Sequence, residues 1–90
     1  MKVKRIDHVG VVVRNMKEAI SFYEDTFGAT AGTPMERPDL GVTITQVKLG
    51  DGELELFCPL EQRPAGSTGE AMQEFLDTRG EGIHHVAFAV

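Results

Sequence analysis

The segments RIDHVGVVV (5–13) and GIHHVAFAV (82–90) align with each other and carry a histidine, His8 and His85, at the same point. The alignment also pairs Ile6 with Ile83, Val9 with Val86, Gly10 with Ala87 and Val13 with Val90. Successive side chains of a strand point to opposite faces. Val9, Val11 and Val13 then share one face of the first segment, and His8 shares the other with Ile6, Gly10 and Val12. In the last segment Val86, Phe88 and Val90 make the bulky face, and His85 sits with Ala87 and Ala89. By the same parity His84 points away from His85 and has no ligand role. A single histidine on a half-buried strand is more often a hydrogen-bonded, inert residue than a ligand. Two at equivalent positions of a repeat, each beside Gly or Ala, imply a pocket built twice.

A carboxylate joins them in ELELFCP (53–59). Leu54, Leu56 and Cys58 form its apolar face, and Glu53, Glu55 and Phe57 the other. Glu53 is exposed by the preceding turn. Glu55 either faces water on an open sheet or, if buried, needs a partner. With His8 and His85 it supplies two imidazoles and a carboxylate, a donor set suited to Zn, Co, Ni, Mn or Fe(II) with positions left open for water or substrate. No local metal motif such as HExxH is present, so a fold must bring these three residues together.

The elements that would do so follow from periodicity and punctuation. Valine-rich residues 3–13 read as a strand covered on both faces. Asn15 and Glu18 have capping-box spacing, Met16, Ala19, Ile20, Tyr23 and Phe27 recur at helical spacing, and Gly28 closes the helix. Residues 29–35 read as an edge strand followed by a loop through Pro38. Val42 to Leu49 and Glu53 to Cys58 form a hairpin around Gly50-Asp51-Gly52. Ser67 and Glu70 repeat the capping-box spacing ahead of Ala71, Met72, Phe75 and Leu76, Gly80 ends that helix, and a last strand follows. The expected class is α+β, a βαβββ module over residues 1–66, then a linking helix and one strand over 67–90.

The bulk numbers agree with one small soluble domain. The chain has 90 residues, 41% hydrophobic and 26% charged, and chains of this size bury roughly 60–65% of their unfolded surface. A net charge of −5 argues against nucleic acid, which calls for a clustered basic face. No apolar run approaches the ~18 residues of a membrane span. The start MKVKRIDHVG lacks a signal-peptide apolar region, and Cys58 is the only cysteine, so a reduced, cytoplasmic setting is expected.

IDHVGVVV, AISFYEDTFG, LGDGELELFCPL and GEGIHHVAFAV together resemble the vicinal oxygen chelate superfamily, which includes glyoxalase I, extradiol dioxygenases and bleomycin-resistance proteins. ELELFCPL and GEGIHHVAF look most like its methylmalonyl-CoA epimerases. The resemblance implies paired βαβββ modules forming a half-barrel around one divalent metal, here Co, Zn, Ni or Mn ahead of Fe(II). It assigns His8, Glu55 and His85 as metal ligands, and it implies proton abstraction beside a thioester or carbonyl, with the metal as Lewis acid. The implied partners are a small-molecule substrate, an acyl-CoA among the candidates, and a second copy in a homodimer. A fourth ligand would lie on a later strand of a second module, so the chain reads as ending after that module's first strand. Ile44 occupies the place of the family's catalytic base, and Gln46, next on that face, cannot act as one. The catalytic group is therefore unassigned. A glyoxalase I-like lyase and a non-catalytic ligand binder of the bleomycin-resistance type are the alternatives, with extradiol dioxygenase chemistry a third. Arg37, Arg63 and Arg79 are candidates for a basic lip toward a CoA phosphate, weighed against simple solvation.

Overall fold

The first helix is set by its ends. Asn15 has extended backbone and its side chain accepts a hydrogen bond from the Glu18 N–H at 2.9 Å, satisfying one of the donors every helix start leaves open. Gly28, at φ 65°, closes it in the left-handed conformation that glycine adopts without steric cost. Asn15→Ala is expected to lower stability by about 1 kcal/mol, read as a shift of the urea midpoint with unchanged slope.

The computed structural model describes residues 1–90. It contains β1 (Arg5–Val12), α1 (Met16–Phe27), β2 (Thr30–Ala31), β3 (Met35–Arg37), β4 (Val42–Leu49), β5 (Gly52–Pro59), α2 (Thr68–Arg79) and β6 (Gly82–Ala89). All strands join one mixed sheet in the order β2-β4-β5-β1-β6, with β3 also paired to β4. β1 lies parallel to β5 and antiparallel to β6. The expected single edge strand over 29–35 is instead two short ones, separated by Gly32, Thr33 and Pro34 and each paired with a different part of β4. Proline has no N–H for a ladder, which explains the gap.

Strand alternation divides the interior in two. On one face Val11, Val13, Val47 and Leu56 are buried beneath Met16, Ala19, Ile20 and Tyr23 of α1. On the other, Val12, Val42 and Phe57 are buried beneath Met72 and Leu76 of α2. α2 seats closely because its first turn carries Gly69: a Cβ there would strike the carbonyl of Gly41, and the Gly69 N–H donates to Leu40 O at 2.8 Å. α2 packs over Val12, Val42 and Phe57 on this face. No helix is long and apolar enough to cross a membrane.

The pairing of β1 with β6 is interrupted twice. Ile6 pairs with Phe88 and His8 with Ala87, which leaves Asp7 without a partner. Gly10 pairs with His85 and Val11 with Ile83, which leaves His84 without one. Each is a β-bulge, one extra residue on one strand, and each resets the alternation. Two expectations fall with it. Ile6 stands opposite Phe88 and leaves the His8 face. His84 turns toward His85, as described next.

Candidate metal centre

The open face is organised in cross-strand rows. Gln46 of β4 pairs with Glu55 of β5, Glu55 with Gly10 of β1, and Gly10 with His85 of β6. Ile44, Phe57 and Val12 form the neighbouring row beside α2. His8 lies on the other side, paired with Ala87. The two histidines are thus related by a local twofold arrangement, each opposite the small residue of the other strand. At Gly10 the fit is close: a Cβ built there would collide with three ring atoms of His85. The small neighbours expected from sequence therefore make room for the imidazole across the ladder.

The three expected ligands, His8, Glu55 and His85, share this face. Nε2 of His8 is 3.4 Å from Oε2 of Glu55, and both side chains are about four-fifths buried, at 19% and 20% exposure. The His85 ring is 5.5 Å from the His8 ring, edge-on, and 5.5 Å from Phe57. Two donors held ~2.1 Å from one ion at a tetrahedral angle stand about 3.4 Å apart, the spacing seen between His8 and Glu55. The donor set also fits in kind, two imidazoles and one carboxylate. With the side chains as they stand, no group of three or more His, Cys, Asp or Glu is disposed to hold an ion. His85 rests on Gly10 and is hydrogen-bonded to His84 instead.

His84 was expected on the opposite face, and this is corrected by the bulge. Its Nδ1 lies 3.0 Å from Nδ1 of His85, and its ring packs 5.3 Å from Phe75 of α2. Asp7 likewise sits beside His8, whose Nδ1–H donates to Oδ2 of Asp7 at 2.9 Å. That hydrogen bond is the main cause holding the Asp7 carboxyl below the usual carboxylate range. Burial, followed by the neighbouring His84 and His8, holds His85 below the usual histidine value. A neutral imidazole keeps the lone pair that a metal needs. Strand parity assigns His84 no ligand role and nothing in the sequence assigns Asp7 a site role; their position just before each histidine of the repeat is the available signal.

A cavity of about 310 Å³ opens beside Glu55, walled by Met35, Arg37, Ile44 and Gln46. A larger one, about 440 Å³, lies on the opposite face between α1 and β6 and contains none of the histidines. The three arginines are engaged within the chain. Arg37 makes two hydrogen bonds to Asp39, at 3.0 and 2.8 Å. Arg63 donates to Leu60 O at 2.6 Å. Arg79 stands over the Phe75 ring at 5.9 Å.

Residues 7–90 match the glyoxalase/bleomycin resistance protein/dioxygenase superfamily model. The chain is 33% identical over 89 residues to ethylmalonyl-CoA/methylmalonyl-CoA epimerase of Cereibacter sphaeroides, covering 98% of this chain and 62% of that protein. It is 34% identical over 86 residues to mitochondrial methylmalonyl-CoA epimerase of Bos taurus, covering 96% of this chain and 46% of the relative. It thus spans roughly half to three-fifths of the length of these relatives. A solved variant of Streptomyces coelicolor methylmalonyl-CoA epimerase, in complex with 2-nitronate-propionyl-CoA, superposes with a TM-score of 0.82 at 27% identity, over 99% of this chain and 64% of that one.

Proposed function

Since the chain belongs to the glyoxalase/bleomycin resistance protein/dioxygenase superfamily, we propose that it serves a divalent-metal-dependent epimerase that moves the proton beside an acyl-CoA thioester. The observation carrying this is the gathering of His8, Glu55 and His85 on one open face beside a cavity, in a chain whose relatives are named as methylmalonyl-CoA epimerases. His8, Glu55 and His85 would hold the metal, with Co, Zn, Ni or Mn as candidates. Bound there, it would supply positive charge to the oxygen on which negative charge develops when the α-proton leaves.

The chain's own residues set what surrounds that chemistry. Met35 and Ile44 give the cavity an apolar wall for an acyl chain. Gln46, paired with Glu55 across the β4–β5 ladder, offers an amide donor to a carbonyl oxygen. Glu55 is the carboxylate that lines the cavity, and as a proposed metal ligand it leaves the proton-moving group unassigned. The division into a module over 1–66 and a linking helix with one strand over 67–90, assembly as a homodimer and a cytoplasmic setting belong to the same proposal.

Ile44 in the cavity wall favours a second reading, a ligand binder without catalysis. Incubation with methylmalonyl-CoA and Co²⁺ in D₂O separates the two. Epimerase chemistry is expected to introduce deuterium at the α-carbon, followed by mass spectrometry. Saturable binding with no exchange would support the binder.

A further inference from the structure

The repeat carries a second device that the three ligands do not explain. In both copies the residue just before the histidine is the bulged one, Asp7 in β1 and His84 in β6. In both copies the bulged side chain meets Nδ1 of that histidine, Asp7 Oδ2 at 2.9 Å from His8 and His84 Nδ1 at 3.0 Å from His85. A bulge is what permits this, because adjacent residues of a regular strand point to opposite faces. We propose that Asp7 and His84 are paired positioning residues, each accepting the Nδ1–H of the following histidine and so leaving its Nε2 lone pair bare toward the cleft. The inference deepens the metal-centre reading above and rests on it for its consequence.

For His8 the direction of the bond is set by chemistry, since a carboxylate only accepts. Nε2 of His8 lies 3.4 Å from Oε2 of Glu55, while the side-chain hydrogen bond of His8 runs through Nδ1 to Asp7. For His85 two tautomer arrangements satisfy the Nδ1 to Nδ1 contact, and one ring must carry its proton at Nδ1. If His84 donated, His85 would hold its proton on Nε2. That N–H would lie over Gly10 and beside Phe57, and no lone pair would remain on the nitrogen turned to the cleft. If His84 accepts, its own Nε2–H is carried by an exposed side chain that water can reach, and Nε2 of His85 keeps its lone pair. The fixed orientation has a second support, the His84 ring against Phe75 of α2. Supporting groups on the far nitrogen of a metal-bound histidine set tautomer and ring direction, and losing one typically costs roughly 10–100-fold in metal affinity.

The test uses the 90-residue chain, ¹⁵N-labelled and metal-free, with two-bond ¹H–¹⁵N spectra of the imidazoles, followed by Co²⁺ titration. His8 and His85 are both expected as Nδ1–H tautomers. His84→Phe, which keeps a ring against Phe75 but has no acceptor, is expected to return His85 to the Nε2–H form, leave His8 unchanged and weaken Co²⁺ binding by roughly 10–100-fold. Asp7→Ala is expected to do the same to His8 alone. His84→Asn, which restores an acceptor, is expected to recover both the His85 tautomer and most of the affinity. An Nε2–H tautomer at His85 in the unmodified chain, or wild-type affinity in His84→Phe, overturns the proposal. If the unmodified chain takes up no Co²⁺, the metal reading fails, and the tautomers still decide the roles of Asp7 and His84.

Discussion

His85→Ala is expected to weaken Co²⁺ binding by at least about a hundredfold, more than the loss of a supporting group would. The ring is one of three donors on the open face, and its removal leaves His8 and Glu55 as a two-donor remnant whose facing atoms are 3.4 Å apart. Water must then fill the remaining positions. The fold should persist, because the ring lies on a half-exposed stretch of an edge strand and the strand pairing of β6 runs through its backbone. Asp51→Asn serves as the comparison. Asp51 is exposed in the hairpin turn, and its substitution should leave affinity unchanged. The contrast separates a built site from the general attraction of a chain of net charge −5 for cations. Equal Co²⁺ affinities for His85→Ala and Asp51→Asn, measured calorimetrically, would remove the centre as described.

Gly10→Ala is expected to have nearly the same effect on the metal with one added methyl group. Strand preference gives no warning of this, since glycine in a strand interior costs roughly 0.5–1 kcal/mol relative to alanine. The obstacle is tertiary: the new Cβ would occupy the space of Cε1, Nε2 and Nδ1 of His85. Those atoms are the end of a side chain that can swing away, so the ladders from Gly10 to Glu55 and to His85 need not move. Urea stability is therefore expected to change by no more than about 1 kcal/mol. Co²⁺ affinity should nevertheless fall about as far as in His85→Ala, and the His84–His85 hydrogen bond should be lost with it. Retention of wild-type affinity in Gly10→Ala would show that the ring does not need its seat on Gly10.

Much of the scaffold was legible because its signals are local. A side-chain oxygen at Asn15 or Ser67 reaches an N–H three residues ahead, and Gly28 closes the first helix through its own backbone freedom. Such features depend on a few adjacent residues and can be read from their types. Residues 29–37 were harder. Their two short strands exist only through pairing with β4, and nothing local sets where each begins.

Within the site, what the sequence by itself determined was parity inside each strand: His8 opposite in face to Val9, His85 to Val86, and Glu55 to Leu56. That rule follows from the two-residue repeat of an extended chain and needs no partner. What only the tertiary structure decided was the relation between strands. The positions of the bulges depend on which residues of β1 and β6 exchange hydrogen bonds, so the turning of His84 toward His85, and the departure of Ile6 from the His8 face, could not be read from either strand alone. The seat of His85 on Gly10 is also a property of the pair. A glycine's missing side chain becomes a site feature only when a second strand lays a ring across it.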